Sequence, residues 1–492
     1  MTNAIEVPLV IRGEIFSGQS HFAGRRGNEG FVTADVRDHL TALPLAQPSQ
    51  LADLYDLKFD DILDYCARLG ERLVLDRNDN LRRAFALSKQ TSGLSDSILE
   101  AQYRSIPFFF ARDAVREAAE LSVGIDYLEG WVPQPSDPAL PTRTKIRAFG
   151  ARAVHIIAGN APAIAINTIV RNAYTRSDAI IKTPSNDPLT ATAVAMTMVE
   201  MDPTHPLSRH LTVAYWKGGD EEIESYLYDP RRIEKIIAWG GFASVKHVTR
   251  YLQPGIDLIT LDPKQSGTII GAEAFADDQA LDDVATRLAL DVGSLNQEAC
   301  VNARVIYVAS GTNEDGLRRA GELGERAFRA MQNLPSTIST PHKAIDVSLR
   351  EEVDGLRFAS NEYQLIGGRG DEGAVIVSLT DAPVDFASSL MGRVMNIVPV
   401  DDVETAVRST TSYTQTVGVY PDSLKEALRD RLAFHGAQRV VSLGTAVPIV
   451  MRSGPHDGIE PVRRMCKWLT DETTDAAPLL QRARANLVEP AQ

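Results

Sequence analysis

A chain of 492 residues, 44% of them hydrophobic and 24% charged, has the composition of an ordinary globular protein several domains long, and its apolar runs are too short to span a bilayer. The net charge of −14 argues against a nucleic-acid partner, which needs an extended basic surface. Three widely spaced cysteines (Cys66, Cys300, Cys466) without a CxxC, and nine scattered histidines without an HExxH, exclude a disulfide framework and give no metal signature, so free thiols and no metal are expected.

The start MTNAIEVPLVIRGEIF lacks a basic segment ahead of its apolar residues, so no secretory signal and a cytoplasmic location are expected. Residues 7–11 read as a strand and are followed by a glycine-rich loop through Gly24 and Gly27. From Leu51 onward, and over 81–87, charged residues interleave at helical spacing and predict a mainly helical region. The run SIPFFF (105–110) fits an apolar channel or a helix anchored to a core, and the burial tendency of aromatics favours the anchor. Between 127 and 144 the chain turns proline-rich (WVPQPSDPALPTRT) between possible strands, which reads as a boundary or protruding arm.

Strand and helix then alternate. Residues 152–158 are a β-branched run, and Ile166, Ile169, Val170 and Ala173 form one helix face. Strands over 178–183, 210–216, 233–239 and 256–261 alternate with helices over 188–201, 220–228 and 242–252. Strands separated by single helices pair in parallel through right-handed crossovers, which predicts a doubly wound α/β sheet. Ligands bind such sheets at the carboxyl ends of the strands. Here those ends carry Gly159 and Asn160, Lys182 and Ser185, Gly218 and Gly219, and Gly240 and Gly241. Any one glycine pair could simply close a tight turn; the row together suits the approach of a nucleotide's phosphates to backbone N–H groups. Neither GxGxxG nor a Walker A motif is present.

A second α/β stretch follows, with strands over 268–270, 304–308, 374–379, 396–399, 416–420, 439–443 and 447–451. Helices are predicted up to Gly293 and over 314–331, 401–408 and 424–434. Between the helix stop and the strand at 304 lies SLNQEACVNAR, with Cys300 among small and polar neighbours. A free cysteine usually packs inertly, and Cys66 and Cys466, on helical patterns, fit that reading. Cys300 fits it less well, because a loop apex is a poor place for filler, and a thiol needs only modest electropositive help to attack a carbonyl. His342, His435 and His456 are possible partners for a cysteine acyltransferase or hydrolase, none identifiable by spacing.

These motifs, in this order from about residue 150 onward, resemble the aldehyde dehydrogenase superfamily and, within it, the long-chain acyl-CoA reductase (LuxC) family. GNAP at 159–162 is similar to the superfamily's PWNFP turn, IIKTPSNDP to its KPSE segment, WGGF to its FTGS turn and NQEAC to its nucleophile loop. VPVDDVETAV resembles the segment after EIFGP, and GPHDGIEPVRRM the reductase family's C-terminal signature. The resemblance implies two doubly wound α/β domains with parallel sheets and a strand-rich oligomerisation arm. On that pattern, 1–125 is the helical N-terminal region, 126–150 the arm, 151–265 the cofactor domain and 266–436 the catalytic domain. Residues 437–492 would complete the arm and the cofactor domain, with a homodimer or tetramer as the assembly and the proline-rich arm near 131–144, pairing with strands around 439–451, as the place of a dimer contact.

The resemblance also implies roles. Cys300 would be the nucleophile and the Asn160 amide an oxyanion donor, while Lys182, Ser185, Gly159, Gly218, Gly219, Gly240 and Gly241 would hold the cofactor. Where hydrolytic relatives carry the ELGGK glutamate that activates water, this chain has Thr260, which suits transfer of an acyl group to or from a thiol. The acidic residue that binds ribose hydroxyls is replaced by Ser185, which would not repel a 2′-phosphate, so NADPH is expected. The implied reaction is reduction of an acyl thioester, on coenzyme A or a carrier protein, to an aldehyde through an acyl-cysteine. A partner acyltransferase or acyl-activating enzyme could supply the acyl group. The alternatives are a cofactor-independent cysteine acyltransferase or hydrolase, and a non-catalytic nucleotide-binding relative.

Overall fold

The computed structural model describes residues 5–19, 21–24, 30–135, 142–343, 345–447, 454–474, 476–477, 480–481 and 483–484. The doubly wound α/β architecture expected from the alternation occurs twice. The first sheet has the order Asp257–Leu261, Lys235–Trp239, Arg152–Ile156, Asp178–Lys182, Leu211–Ala214, Leu9–Ile11 and Glu14–Phe16. Its first five strands are parallel, and the two N-terminal strands extend it antiparallel. Arg152–Ile156 is buried at every residue because helices cover both faces, so β-branched and aliphatic residues run continuously instead of alternating.

Helix Pro162–Thr175 crosses one face beneath the N-terminal helices Phe59–Arg72, Asp96–Phe109 and Arg112–Ser122, and nearly all of it is buried. The SIPFFF run is divided: Ile106 and Phe110 are buried as helix anchors, whereas Phe108 is exposed. The N-terminal region is therefore helical only after about residue 36; before that, short strands dominate because isoleucine, valine and phenylalanine there match the sheet edge.

The second sheet has the order Tyr363–Gly367, Ala374–Ser378, Val394–Pro399, Ala303–Val308, Gln265–Ile270, Thr414–Tyr420 and Arg439–Ser442. All pairs are parallel except the one at the Tyr363–Gly367 edge. Helices Asp278–Gly293 and Glu314–Gln332 pack together on it.

Within the chain the arm strand Thr142–Phe149 pairs antiparallel with Lys467–Thr474 and Val132–Pro133. Arg439–Ser442 instead closes the second sheet against Thr414–Tyr420, because a short run of arginine, two valines and serine follows a helix and so makes one more right-handed crossover. Most of Lys467–Thr474 is exposed and polar, so hydrophobic patterning could not reveal it as a strand. The remainder of the strand expected at 447–451, and Gly27, lie outside the described residues. No helix among the described residues is long and apolar enough to cross a membrane.

Candidate active site

The first sheet changes winding direction between Arg152–Ile156 and Lys235–Trp239: successive strands step outward on either side of this pair. A crevice opens at the carboxyl ends of strands at such a switch point. Its rims here are Gly159 and Asn160 on one side and Trp239, Gly240 and Gly241 on the other. Gly159 is packed so closely that an added Cβ would lie 2.2 Å from Asn186 Oδ1, and the Asn186 amide donates to the Gly159 carbonyl (2.9 Å). Gly219 has φ +90°, a left-handed turn that favours glycine.

Lys182 ends its strand with the ammonium 5.6 Å from the centre of the Trp216 ring. Burial lowers its pKa to about 8, with the Glu224 carboxylate pulling in the other direction. Glu224, 2% exposed, accepts from His247 Nε2 (2.6 Å) and from the Gly219 N–H (3.1 Å). Ser185 lies in the turn after Lys182 and is half-buried. These residues fit a dinucleotide on two counts. An added Cβ at Gly218 or Gly241 would meet only open space, and Trp216 Nε1 is buried without a partner. Among the described residues no cluster of histidine, cysteine, aspartate or glutamate could hold a metal ion.

The Cys300 loop is held by its own side-chain amides. After helix Asp278–Gly293, Leu295, Asn296 and Gln297 all adopt positive φ (53°, 53° and 65°), a costly run for non-glycine residues that the surroundings must enforce. They do so by hydrogen bonding. Asn296 pairs with Thr340 through both ends of its amide, and Gln297 bonds the Ala303 carbonyl and both backbone groups of Val394. Asn302 donates to the Asp291 and Ser294 carbonyls and accepts from the Ala299 N–H. This polar loop is thus a rigid seat for Cys300.

Cys300 lies at the amino end of strand Ala303–Val308, and its carbonyl accepts from Ser266 Oγ (2.8 Å). The Asn160 side-chain amide donates to the Glu298 carbonyl (2.9 Å), which brings the rim of the first sheet against the Cys300 loop of the second. Burial pushes the Cys300 thiol above its ordinary range; the Gln415 amide opposes this by hydrogen bonding, and the Asp457 carboxylate adds to it.

Gln415 and Asp457 did not stand out in the sequence. Gln415 Nε2 donates to Asp457 Oδ1 (2.7 Å), and Asp457 Oδ2 accepts from the Asp262 N–H (3.0 Å). The signal was the GPHDG segment, whose two glycines and left-handed Asp457 (φ 53°) fold it back onto the cofactor strands. His456 stands there too, its ring 5.7 Å from that of Trp239. Of the other two candidate histidines, His342 abuts the Cys300 loop, its Nε2 bonded to the Glu298 carboxylate (2.7 Å), and His435 is exposed at the end of helix Asp422–His435.

Residues 54–468 match the family model described as acyl-CoA reductase (LuxC). The long-chain acyl-protein thioester reductase of Aliivibrio fischeri is 26% identical over 97% of both chains. That of Photobacterium phosphoreum is 29% identical over 78% of this chain and 76% of its own. Among solved structures, the aldehyde dehydrogenase KauB from Pseudomonas aeruginosa superposes with a TM-score of 0.72 at 14% identity, covering 96% of this chain and 97% of that one. A NAD-dependent benzaldehyde dehydrogenase from Corynebacterium glutamicum gives 0.69 at 14% identity, covering 95% and 98%. At these identities the structural likeness establishes the aldehyde-dehydrogenase-like fold.

Proposed function

The chain belongs to the acyl-CoA reductase (LuxC) family, and from that premise we propose that it reduces an acyl thioester to the aldehyde with NADPH through an acyl-Cys300 intermediate. The observation that carries this reading is the Asn160–Glu298 hydrogen bond, which sets an amide donor from the cofactor rim beside the nucleophile loop.

Cys300 attacks the thioester carbonyl. The second N–H of the Asn160 amide and the Cys300 backbone N–H stabilise the oxyanion, a contribution whose loss costs about 100- to 1000-fold in rate. The carrier thiol leaves and Cys300 holds the acyl group. Lys182, Ser185, Gly159, Gly218, Gly219, Gly240 and Gly241 would hold the dinucleotide, which supplies hydride when bound. Thr260 offers no base to activate water, so the acyl-cysteine is preserved for reduction. The names of the relatives support a protein-borne long-chain acyl group, and a partner acyltransferase or acyl-activating enzyme would deliver it. The mostly exposed outer strand Lys467–Thr474 offers an edge for homo-oligomer formation.

The test is NADPH oxidation with acyl-CoA and acyl-carrier-protein substrates, using wild type and Cys300→Ala. Loss of turnover and of the covalent acyl adduct in the variant is expected; wild-type turnover by Cys300→Ala overturns the covalent route.

A further inference from the structure

Attack by Cys300 requires that its proton go somewhere. Burial keeps this thiol protonated at neutral pH, and the cofactor strand offers only Thr260 where hydrolytic relatives have a glutamate. Asp457 is beside Cys300, but both its oxygens are already engaged, by the Gln415 amide and the Asp262 N–H. His342 Nε2 is held by Glu298.

His456 is different. Its backbone is pinned by two hydrogen bonds with Ile459 (2.8 and 3.1 Å), between Gly454 and Gly458, both at positive φ. Its Nε2 is buried without a hydrogen-bond partner. It lies 3.8 Å from Asp457 Oδ1, too far for a hydrogen bond but close enough to stabilise an imidazolium. The charged groups facing the ring are Asp457, Arg171, Arg439 and Lys264. Burial lowers its pKa, so the imidazole rests neutral with a basic nitrogen available. Asp457 Oδ1 joins the two groups: it accepts from the Gln415 amide (2.7 Å), which also hydrogen-bonds the Cys300 thiol, and it lies 3.8 Å from His456 Nε2.

Building on the thioester-reductase reading, we propose that His456 is the acid–base group of acyl transfer. As the Cys300 Sγ–carbonyl bond forms, the thiol proton passes to His456 Nε2. As the bond from carbonyl carbon to carrier sulfur breaks, the same proton passes to the departing thiolate. Nothing is oxidised or reduced in this half-reaction, and the proton count closes.

The experiment follows acylation of Cys300 by dodecanoyl-CoA without dinucleotide, using intact-protein mass in rapid-quench samples from pH 6 to 10. The full chain is compared as wild type, Cys300→Ala, His456→Gln and His456→Ala. His456→Gln is expected to acylate about 100-fold or more slowly at pH 7, with the deficit narrowing at high pH as the thiolate forms unaided. Added imidazole should restore part of the rate to His456→Ala. Wild-type acylation rates in His456→Gln across the pH range would overturn the proposal. If that variant melts early, the imidazole response decides, and absence of rescue counts against the proposal. Failure of wild type to acquire the adduct at all would instead reject the covalent reading on which the proposal rests.

Discussion

Asn160 and Glu298 lie 138 residues apart in the chain, yet the side-chain amide of one donates to the backbone carbonyl of the other at 2.9 Å. A single bond therefore registers the turn of one α/β sheet against the Cys300 loop of the other. Of the two Asn160 N–H groups it uses one, and the proposed mechanism gives the other to a substrate oxygen. Asn160→Ala is expected to lower kcat by about 100- to 1000-fold. Lost stability should be confined to about 1 kcal/mol, the worth of one ordinary hydrogen bond. Steady-state kinetics alongside urea unfolding checks both numbers; a large loss of stability would show that the bond chiefly holds the loop.

Thiol chemistry distinguishes the three cysteines. Burial pushes Cys66 and Cys466 up to about 12, whereas Cys300 is half-buried with an amide donor beside it. Iodoacetamide applied to the folded protein should modify Cys300 alone, slowly at pH 7 and faster as pH rises, because the reactive thiolate forms only above the ordinary thiol range. Gln415→Leu removes a hydrogen bond to the thiolate and should shift the alkylation profile to higher pH. Peptide mapping after timed labelling gives the profile, and an unmoved profile in that variant would remove Gln415 from the site.

The alternation of strands and helices was legible because a twice-covered parallel sheet needs continuous β-branched runs, and 152–156 or 178–182 can hardly be anything else. Cys300, Asn160 and Lys182 were legible as punctuation at element ends. Gln415 and Asp457 were not: one is an interior residue of an ordinary strand and the other follows a glycine-proline turn, and only folding brings them within 2.7 Å. Strand Lys467–Thr474 was hidden for the opposite reason, since a mostly exposed strand carries no apolar alternation. The carboxyl-end rule pointed to the crevice at the switch point but would misplace Cys300, which sits at the amino end of its strand because that edge meets the Asn160 turn.

Asp291 links the helix before the nucleophile loop to the chain after Arg439–Ser442, accepting from the N–H groups of Gly444 (2.9 Å) and Ala446 (2.8 Å). Burial raises its pKa to about 6, against the lowering effect of those two bonds and of Arg439. A carboxyl group with a folded pKa above its unfolded one contributes most stability at low pH and loses that contribution as pH rises through about 6. Relative to Asp291→Asn, wild type should therefore lose up to about 3 kcal/mol between pH 4 and pH 7. Asp291→Ala strips both N–H groups of their partner and should be the less stable variant at every pH. Urea midpoints of the three proteins across that range test the sign.

If Lys182 holds the dinucleotide as proposed, it and Glu224 should make the affinity depend on pH. With its pKa lowered to about 8 by burial, Lys182 is charged at pH 7 and neutral at pH 9. If it contacts a 2′-phosphate, the dissociation constant for NADPH is flat below pH 8 and weakens up to about tenfold per pH unit above it, since binding then takes up one proton. NADH, without that phosphate, should show a shallower rise. Lys182→Met should bind NADPH more weakly at pH 7 and remove the pH dependence. The same substitution should raise thermal stability at pH 7, because a lysine with a lowered pKa destabilises the folded state wherever it is charged. Glu224→Gln releases His247 and removes the carboxylate that favours charged Lys182, so its affinity profile should bend at a lower pH. Quenching of tryptophan fluorescence by each dinucleotide measures these constants without turnover. Equal pH profiles for NADPH and NADH would show that Lys182 does not read the phosphate.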